Sequence, residues 1–546
     1  MMPAPAIGVS PPLALSPVAN DDDHDGREEE HRPPQTLPIL PTHPMHVNPH
    51  SRQIFVSPFR HALAMAGPIH RSLAVGQIAR LSTRTRLHPR DRVSVTTDAA
   101  MSQSQGSSVQ KDVIVVGNGP IGSAVARHVA EGGHSVLVVD GGKRLTSASD
   151  DMGRIVRPLD AEGRQRWTAW NVESIEAFHD MEKRSGIEFF TRCGSLACGT
   201  ESFVERPAQL LTQNGVPHVS LSSGHEVVSR FPCLSVPDAH MAVCDDVGGY
   251  VDPGAMIRAQ NALMASSGSM CDVVTATATR VDVDVDVDES TRHVRVTAED
   301  GSTFVSSVAV LAGGAYTTWL AATSGLATVG APGDLVDRGE VTGASPDASS
   351  GFGSVRASRR TVLLAEVTEA TAKGALGSMP TVKYQFAPPP GDADAPAGSS
   401  SQSRNEAMSV YVLPPIWYPD GVLGLDPGWY VKIGGGANDF FNRDRVETHA
   451  VADLHEWMRS DGDESVADRL HDVLVALMPD TNFLSVQSKP CVTTCSDDGE
   501  LQVEALGAGG AVLAVTGCQG KAAGPADAIG RAVASEVVAK LGARET

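Results

Sequence analysis

Five positions, in four stretches of this chain, carry side chains suited to chemistry. Arg154 and Arg157 stand three apart in GRIVRPLDAEG. A guanidinium fork takes a carboxylate in two parallel hydrogen bonds, so such a pair suits an acidic ligand. The plain alternative is two arginines on the surface or against a phosphate. Lys432 sits inside the apolar strand-like run WYVKIG. An ammonium there is expensive to bury unless it has work to do, and the alternative is a solvated strand edge. Cys491 follows a lysine–proline pair in KPCVTTCSDDG. From its type alone it is a small buried thiol. Lys521 lies in the turn GCQGKAAGP, with Gly517 and Gly520 beside it. This turn is not a phosphate-binding P-loop, because the glycine required five residues before Gly520 is missing and Ala522 replaces the hydroxyl residue.

These residues need a frame, and its clearest part is DVIVVGNGPIGSAVARHVAEGGHSVLVVD, from Asp112 to Asp140. Val113 to Val116 read as a buried parallel strand. The loop Gly117-Asn118-Gly119-Pro120-Ile121-Gly122 leads into a helix, and Val136 to Val139 form a second strand. Gly117 permits a tight turn, Gly119 lets a pyrophosphate approach the backbone, and Gly122 lets helix and strand pack closely. The helix start offers free N–H groups to phosphates. Asp140, followed by Gly141, would accept hydrogen bonds from a ribose. This is a dinucleotide site, open at this stage to NAD or FAD.

The chain has 546 residues, enough for two or more domains, and a net charge of −21. That charge argues against general binding to nucleic acid or anionic membranes. No apolar run approaches membrane-spanning length. Eight cysteines scattered over this length do not suggest a disulfide framework, and Cys193/Cys198 and Cys491/Cys495 lack zinc-site spacing. Residues 1–110 read as a disordered extension. Residues 51–93 hold eight arginines, no lysine and one acid, a composition seen in organelle transit peptides. A mitochondrial or other organelle address is therefore one reading, and a tail without an address, on a cytoplasmic protein, is the other. Val281 to Asp288 alternates valine and aspartate, which suits a half-solvated strand better than a calcium loop. Residues 388–404 are a low-complexity insert. Strand-like segments at 361–367, 381–386, 409–413 and 428–433 suggest an antiparallel sheet.

Taken together, the motifs DVIVVGNGPIGSAVA…VLVVD, GRIVRPLDAEG, VAVLAGGAYTTWL, WYVKIG and KPCVTTCSDDG resemble the FAD-dependent oxidoreductases of the D-amino-acid-oxidase superfamily. The resemblance is to the branch of monomeric sarcosine, N-methyltryptophan and pipecolate oxidases, over roughly residues 111 to 543. It implies a mixed α/β fold: a Rossmann-like FAD-binding domain with a parallel sheet (111–190, 238–322 and 490–546) and a substrate domain on a mostly antiparallel sheet (191–237 and 323–489). It implies that Ala312 and Gly313, in VAVLAGGAY, also line the cofactor site, as do Gly517 and Gly520. Cys491 would bond covalently to the flavin, Arg154 would stand beside the flavin, and Arg157 would bind the substrate carboxylate. Lys432 would lie near flavin N5 and assist electron transfer to O2. At one position the chain departs from the family. Gly524 stands where a second carboxylate-binding lysine is expected. Lys521, three residues earlier, either substitutes from another angle or contacts only the flavin C2 carbonyl.

The implied reaction is oxidation of the C–N bond of a small secondary or N-methyl amino acid by a monomer, with O2 reduced to hydrogen peroxide. The same fold also admits a dehydrogenase passing electrons to another acceptor. A flavoprotein-like scaffold without turnover is the reading from a different class.

Overall fold

The computed structural model describes residues 110–142, 147–285, 292–326, 352–386, 408–441 and 447–545. The expected N-terminal extension and its targeting segment, the insert 388–404 and the end of the Val/Asp run lie outside the described residues.

A first, eight-stranded sheet is built around β1 (Gln110–Val116). β2 (Val136–Asp140) and then β9 (Cys271–Thr275) extend it in parallel on one side. On the other side β1 pairs in parallel with β12 (Thr303–Leu311). The antiparallel β11 (Arg292–Ala298) borders the first half of β12, and the parallel β20 (Val512–Thr516) borders its end. β10 (Ala278–Val285) pairs with β11, and β19 (Gln502–Leu506) with β20. β1 is buried on both faces, which is why its sequence is a continuous apolar run. Val113 and Val115 enter one core, while Ile114 and Val116 enter another. In β10, Val281 is fully buried, and Asp282 and Asp284 ion-pair with Arg280 and Arg295. The alternation therefore makes a two-faced strand, as its period suggests.

The second sheet has nine strands. In order these are β17 (Asp439–Phe440), β13 (Arg356–Val367), β16 (Gly428–Gly435), β15 (Met408–Tyr418), β14 (Thr381–Phe386), β5 (Ser195–Gly199), β7 (Met241–Asp245) and β6 (His218–Leu221), with β18 (Val486–Cys495) also on β13. All pairings are antiparallel except β14 with β5. Period-2 alternation divides its residues between two faces. Leu363, Ala365, Val382, Val412, Val431 and Ile433 pack into one core with the helix Glu464–Leu477. Val362, Leu364 and Leu413 belong to the opposite face, where Ile155 packs against them. A small third sheet, β3 (Arg154–Val156), β8 (Gly249–Val251) and β4 (Phe190–Arg192), joins the two regions. The strands cross between sheets at places other than the expected boundaries. β7 pairs with β5 and lies in the antiparallel sheet although residue 238 was expected to begin a dinucleotide-domain segment, and β18 enters that sheet from Val486 rather than ending it at 489. Hydrogen-bond pairing, which composition does not reveal, draws these lines.

The helix Pro120–Glu131 begins with proline at its first turn, where the missing N–H is not needed. It packs along the terminal helix Ala526–Glu545. A Cβ on Gly530 would stand 2.4 Å from Ala124 Cβ and 2.8 Å from the Ala124 carbonyl carbon. The Gly530→Ala variant is therefore expected to lose about 1–3 kcal/mol of stability through overpacking. Urea denaturation checks this, and an unchanged midpoint would contradict the packing described.

Candidate active site

One cavity of about 1260 Å³ runs from the dinucleotide loop to the inner face of the antiparallel sheet. At one end are Asp140, Gly141 and Thr277. In the middle are Gly117 to Ile121 and Ala312 to Tyr316. At the far end are Arg154, Arg157, Lys383, Tyr411, Cys491 and Lys521.

The dinucleotide end is shaped by backbone proximity. Gly117 has φ +104°, and a Cβ there would lie 2.5 Å from the Ala312 oxygen. At Gly119 the nearest atom to a Cβ is Ser149 Oγ at 3.9 Å, so this position opens to the cavity. Gly119 is the N-cap of the helix Pro120–Glu131, and no side chain caps that end. Its N–H groups and dipole thus face an anion-sized space. The Asp140 carboxylate accepts hydrogen bonds from the Asn118 and Gly142 backbone N–H groups, both at 2.7 Å. Asn118 Oδ1 is buried with no hydrogen-bond partner among the described residues. An uncapped helix start, an open glycine and an orphaned acceptor fit the phosphates and ribose of a dinucleotide. Gly122 does not line the cavity; it sits where a Cβ would be 2.0 Å from the Gly117 oxygen, as its packing task requires.

At the far end the two arginines part company. Arg154 opens β3, and its guanidinium donates to Asp151, to the Gly153 carbonyl at 3.0 Å and to the Ala148 carbonyl. Arg157 Nη1 is buried and has no hydrogen-bond partner among the described residues. Burial pushes its pKa down, against the attraction of Glu162, Asp160 and Asp245. Of the pair, Arg154 is pinned by protein partners, and Arg157 is the one with a buried Nη1 left unpaired.

Asp151 organises the neighbourhood and has no counterpart among the expected site residues. Its side chain is 3% exposed, and it accepts from Lys432 Nζ at 2.5 Å and from Tyr418 Oη at 2.6 Å. Burial alone would raise its pKa, but the Arg154 and Lys432 charges and these hydrogen bonds outweigh that and hold it well below the carboxylate range. Lys432 is 1% exposed, also donates to the Gly153 carbonyl at 3.2 Å, and does not line the cavity. It lies 6.0 Å from the centre of the Tyr411 ring, which does.

Lys521 Nζ engages Asp160 and, at 2.6 Å, Glu162, and stands 5.3 Å over the Trp167 ring. Gly520 lines the cavity while Gly517, at φ +72°, turns the chain behind it. Between them Gln519 takes φ +53°, uncommon for a residue with a side chain, and is held there by its N–H to the Thr494 oxygen at 2.7 Å and by its amide to Ser496 Oγ at 2.7 Å. Cys491 sits on β18 opposite Arg360, lines the cavity and is a free thiol. Lys383, on β14 opposite Tyr411, also faces the cavity. The sequence reading passed over it, although Val382 and Tyr384 flank it as apolar residues flank Lys432.

The Asp151→Asn variant is expected to lose about 3–5 kcal/mol near neutral pH, because it leaves Lys432 buried without its counter-charge. Asp151's folded pKa lies below the unfolded value of about 3.9, so its stabilisation is complete above that pH. It is lost as pH falls through the folded pKa. Urea unfolding at pH 7 and pH 3 should show the gap between variant and wild type narrowing at the lower pH. A constant gap would contradict the ion pairing.

Residues 112–342 match the model of the FAD dependent oxidoreductase family. The monomeric sarcosine oxidase of Bacillus sp. (strain B-0618) is 29% identical over 167 residues, 30% of this chain and 42% of that protein. The N-methyl-L-tryptophan oxidase of Yersinia pestis (strain Pestoides F) is 26% identical over 144 residues, 26% of this chain and 38% of the relative. The chain thus aligns with less than half the length of either. Among solved structures, the open form of NikD, an unusual amino acid oxidase essential for nikkomycin biosynthesis, superposes with a TM-score of 0.54 at 19% identity, covering 79% of this chain and 94% of that one. At this identity the likeness speaks for the fold. The βαβ loop and the two-sheet architecture thus accompany a match to the FAD dependent oxidoreductase family over residues 112–342, the part of the chain that holds the dinucleotide loop.

Proposed function

We propose that the chain is an FAD-dependent oxidase acting on the C–N bond of a small secondary or N-methyl amino acid, working as a monomer. The observation that carries this reading is a single cavity joining an uncapped dinucleotide-binding helix to an arginine with an unpaired Nη1. The names of the sarcosine and N-methyltryptophan relatives support it. FAD, when bound, supplies the two-electron acceptor for amine oxidation and passes the electrons to O2, giving hydrogen peroxide. The chain's residues do the rest. The start of the helix Pro120–Glu131 and Gly119 hold the pyrophosphate, and Asp140 meets the ribose through lone pairs not used by Asn118 and Gly142. Ala312, Gly313 and Gly520 supply backbone wall. Arg157 clamps the substrate carboxylate in two hydrogen bonds. Arg154, fixed by Asp151, forms a rigid cationic wall. Cys491 is the attachment point for a covalent cofactor link.

A second reading, a dehydrogenase that passes electrons to another acceptor, is favoured by one observation. Lys432, the cation expected to promote reaction with O2, is paired with Asp151 behind the wall rather than presented to the cavity. The two readings differ in one measurable step. Lys432→Met should slow reoxidation by O2 about a hundredfold or more if its charge stabilises the transition state. An unchanged rate would remove Lys432 from that role and favour the dehydrogenase.

Covalent attachment is tested by colour. Acid-precipitated wild-type protein should keep its yellow in the pellet, and Cys491→Ser should release it to the supernatant. Free flavin from the wild type would refute the link. A protein that is colourless and takes up no FAD would refute both enzyme readings. Anaerobic bleaching by a panel of N-methyl and cyclic amino acids tests the substrate class.

A further inference from the structure

The substrate end of the cavity holds more positive charge than one substrate carboxylate requires. Arg154, Arg157, Arg360, Lys383 and Lys521 line the cavity, and Lys432 lies just behind. The carboxylates in contact with this group or acting on its charges are Asp151, Asp160, Glu162 and Asp245. Six cations thus meet four acids, an excess of two, in a protein whose net charge is −21.

The excess is located by elimination. Asp151 is shared by Arg154 and Lys432. Lys521 ion-pairs with two carboxylates. Arg360 is held by the carbonyls of Gly436 and Ala437, at 2.9 and 2.8 Å, and by Asn438. Arg157 keeps one Nη1 without a partner. Lys383 has neither a hydrogen bond nor an ion pair among the described residues. The two available cations sit on different elements: Arg157 just after β3, and Lys383 on β14, opposite Tyr411. Two anchors on separate walls of one cavity hold a ligand at two points.

We propose that Lys383 anchors a second carboxylate, so that the substrate is a secondary or N-methyl amino acid with an acidic side chain. This rests on the oxidase reading and names its substrate class. Arg157 takes the α-carboxylate, and Lys383, a compact point charge on a flexible stem, takes the distal one. Burial lowers the Lys383 pKa to about 8, against the pull of Glu162 and together with the push of Arg157, Lys521 and Arg360. A bound carboxylate reverses much of that penalty, so anion binding and protonation of Lys383 reinforce each other.

The test uses the holoenzyme and two inert ligands, glutarate and butyrate, titrated by calorimetry. Wild type should bind glutarate about ten- to a hundredfold tighter, the range expected for one charge-assisted hydrogen bond. Lys383→Met should erase that preference and Lys383→Arg should retain most of it. The wild-type preference should also weaken above about pH 8, while that of Lys383→Arg should not. Equal affinities in wild type would overturn the proposal. So would an equal loss for both ligands in Lys383→Met, which would put Lys383 on the same carboxylate as Arg157. Anaerobic bleaching then separates this proposal from the reading beneath it. Faster bleaching by N-methylglutamate than by sarcosine or pipecolate supports both. Bleaching by the neutral amino acids with no glutarate preference overturns the second anchor and leaves the oxidase standing. Tight glutarate binding with no bleaching by any amino acid overturns the oxidase and leaves the anion site.

Discussion

The site depends on one buried carboxylate. Asp151 leaves the loop that follows the dinucleotide strands, yet its partners Lys432 and Tyr418 come from adjacent strands of the antiparallel sheet. Three ionic groups in so little water are tolerated only because each is hydrogen-bonded. The arrangement fixes more than charge. It draws the start of β3 against β15 and β16, and it ties up the Arg154 guanidinium. That leaves the two arginines of one short motif with different availability. Arg154 commits three of its five N–H donors to Asp151, Gly153 and Ala148, whereas Arg157 retains a buried, unpaired Nη1.

The dinucleotide half was legible in the sequence because its physics is local. Strand, glycine loop, helix and closing acid lie within thirty residues, and each glycine is explained by a neighbour a few residues away or by the adjacent strand. Gly117 against Ala312 is the longest reach in that set, and VAVLAGG was itself recognisable as a strand running into a turn. The substrate half was legible in its strands but not in their pairing. Nothing in Met241–Asp245 announces that it pairs with Ser195–Gly199 rather than with the dinucleotide sheet. For the same reason the individual cations were found while their counter-charges were not. Asp151 lies three residues before Arg154 in the chain, but Lys432 reaches it across 281 positions, and only the fold reveals that encounter. Lys383 differs, since its apolar neighbours Val382 and Tyr384 mark it by the same rule that marked Lys432. It was missed because no motif drew attention to its strand.

Register explains why the missed residues gather in one place. On the antiparallel sheet Lys383 stands opposite Tyr411, Tyr411 opposite Gly434, and Gly434 opposite Val362. A strand alternates faces, so Lys432, two residues before Gly434, points to the same side, and Cys491, opposite Arg360, falls on that side as well. Gly434 is part of the design. A Cβ there would lie 2.6 Å from the Tyr411 hydroxyl, so the missing side chain is what lets the phenol lie across the sheet beside the cavity. The other face of these strands carries Val382, Val431 and Ile433 into the apolar core.

Charge placement on that face has a further logic. Glu162 and Asp160 are the acids that act most on Arg157, and direct pairing with either would close its fork to a ligand. Lys521 instead engages both. The acids remain near enough to support a positive guanidinium, yet they are held by another cation. The expected carboxylate-binding lysine is absent at Gly524, where a Cβ would meet Asn171 Oδ1 at 2.8 Å, so that position is too crowded for a longer side chain to enter without displacing Asn171. The chain therefore carries its terminal-turn lysine three residues earlier, where its contacts are with protein carboxylates. The cation left to complement Arg157 comes from the opposite wall, on a strand of the substrate sheet. With Lys383 as the proposed second anchor, its place on the antiparallel sheet rather than in the terminal turn changes the distance and direction over which two anionic groups can be held.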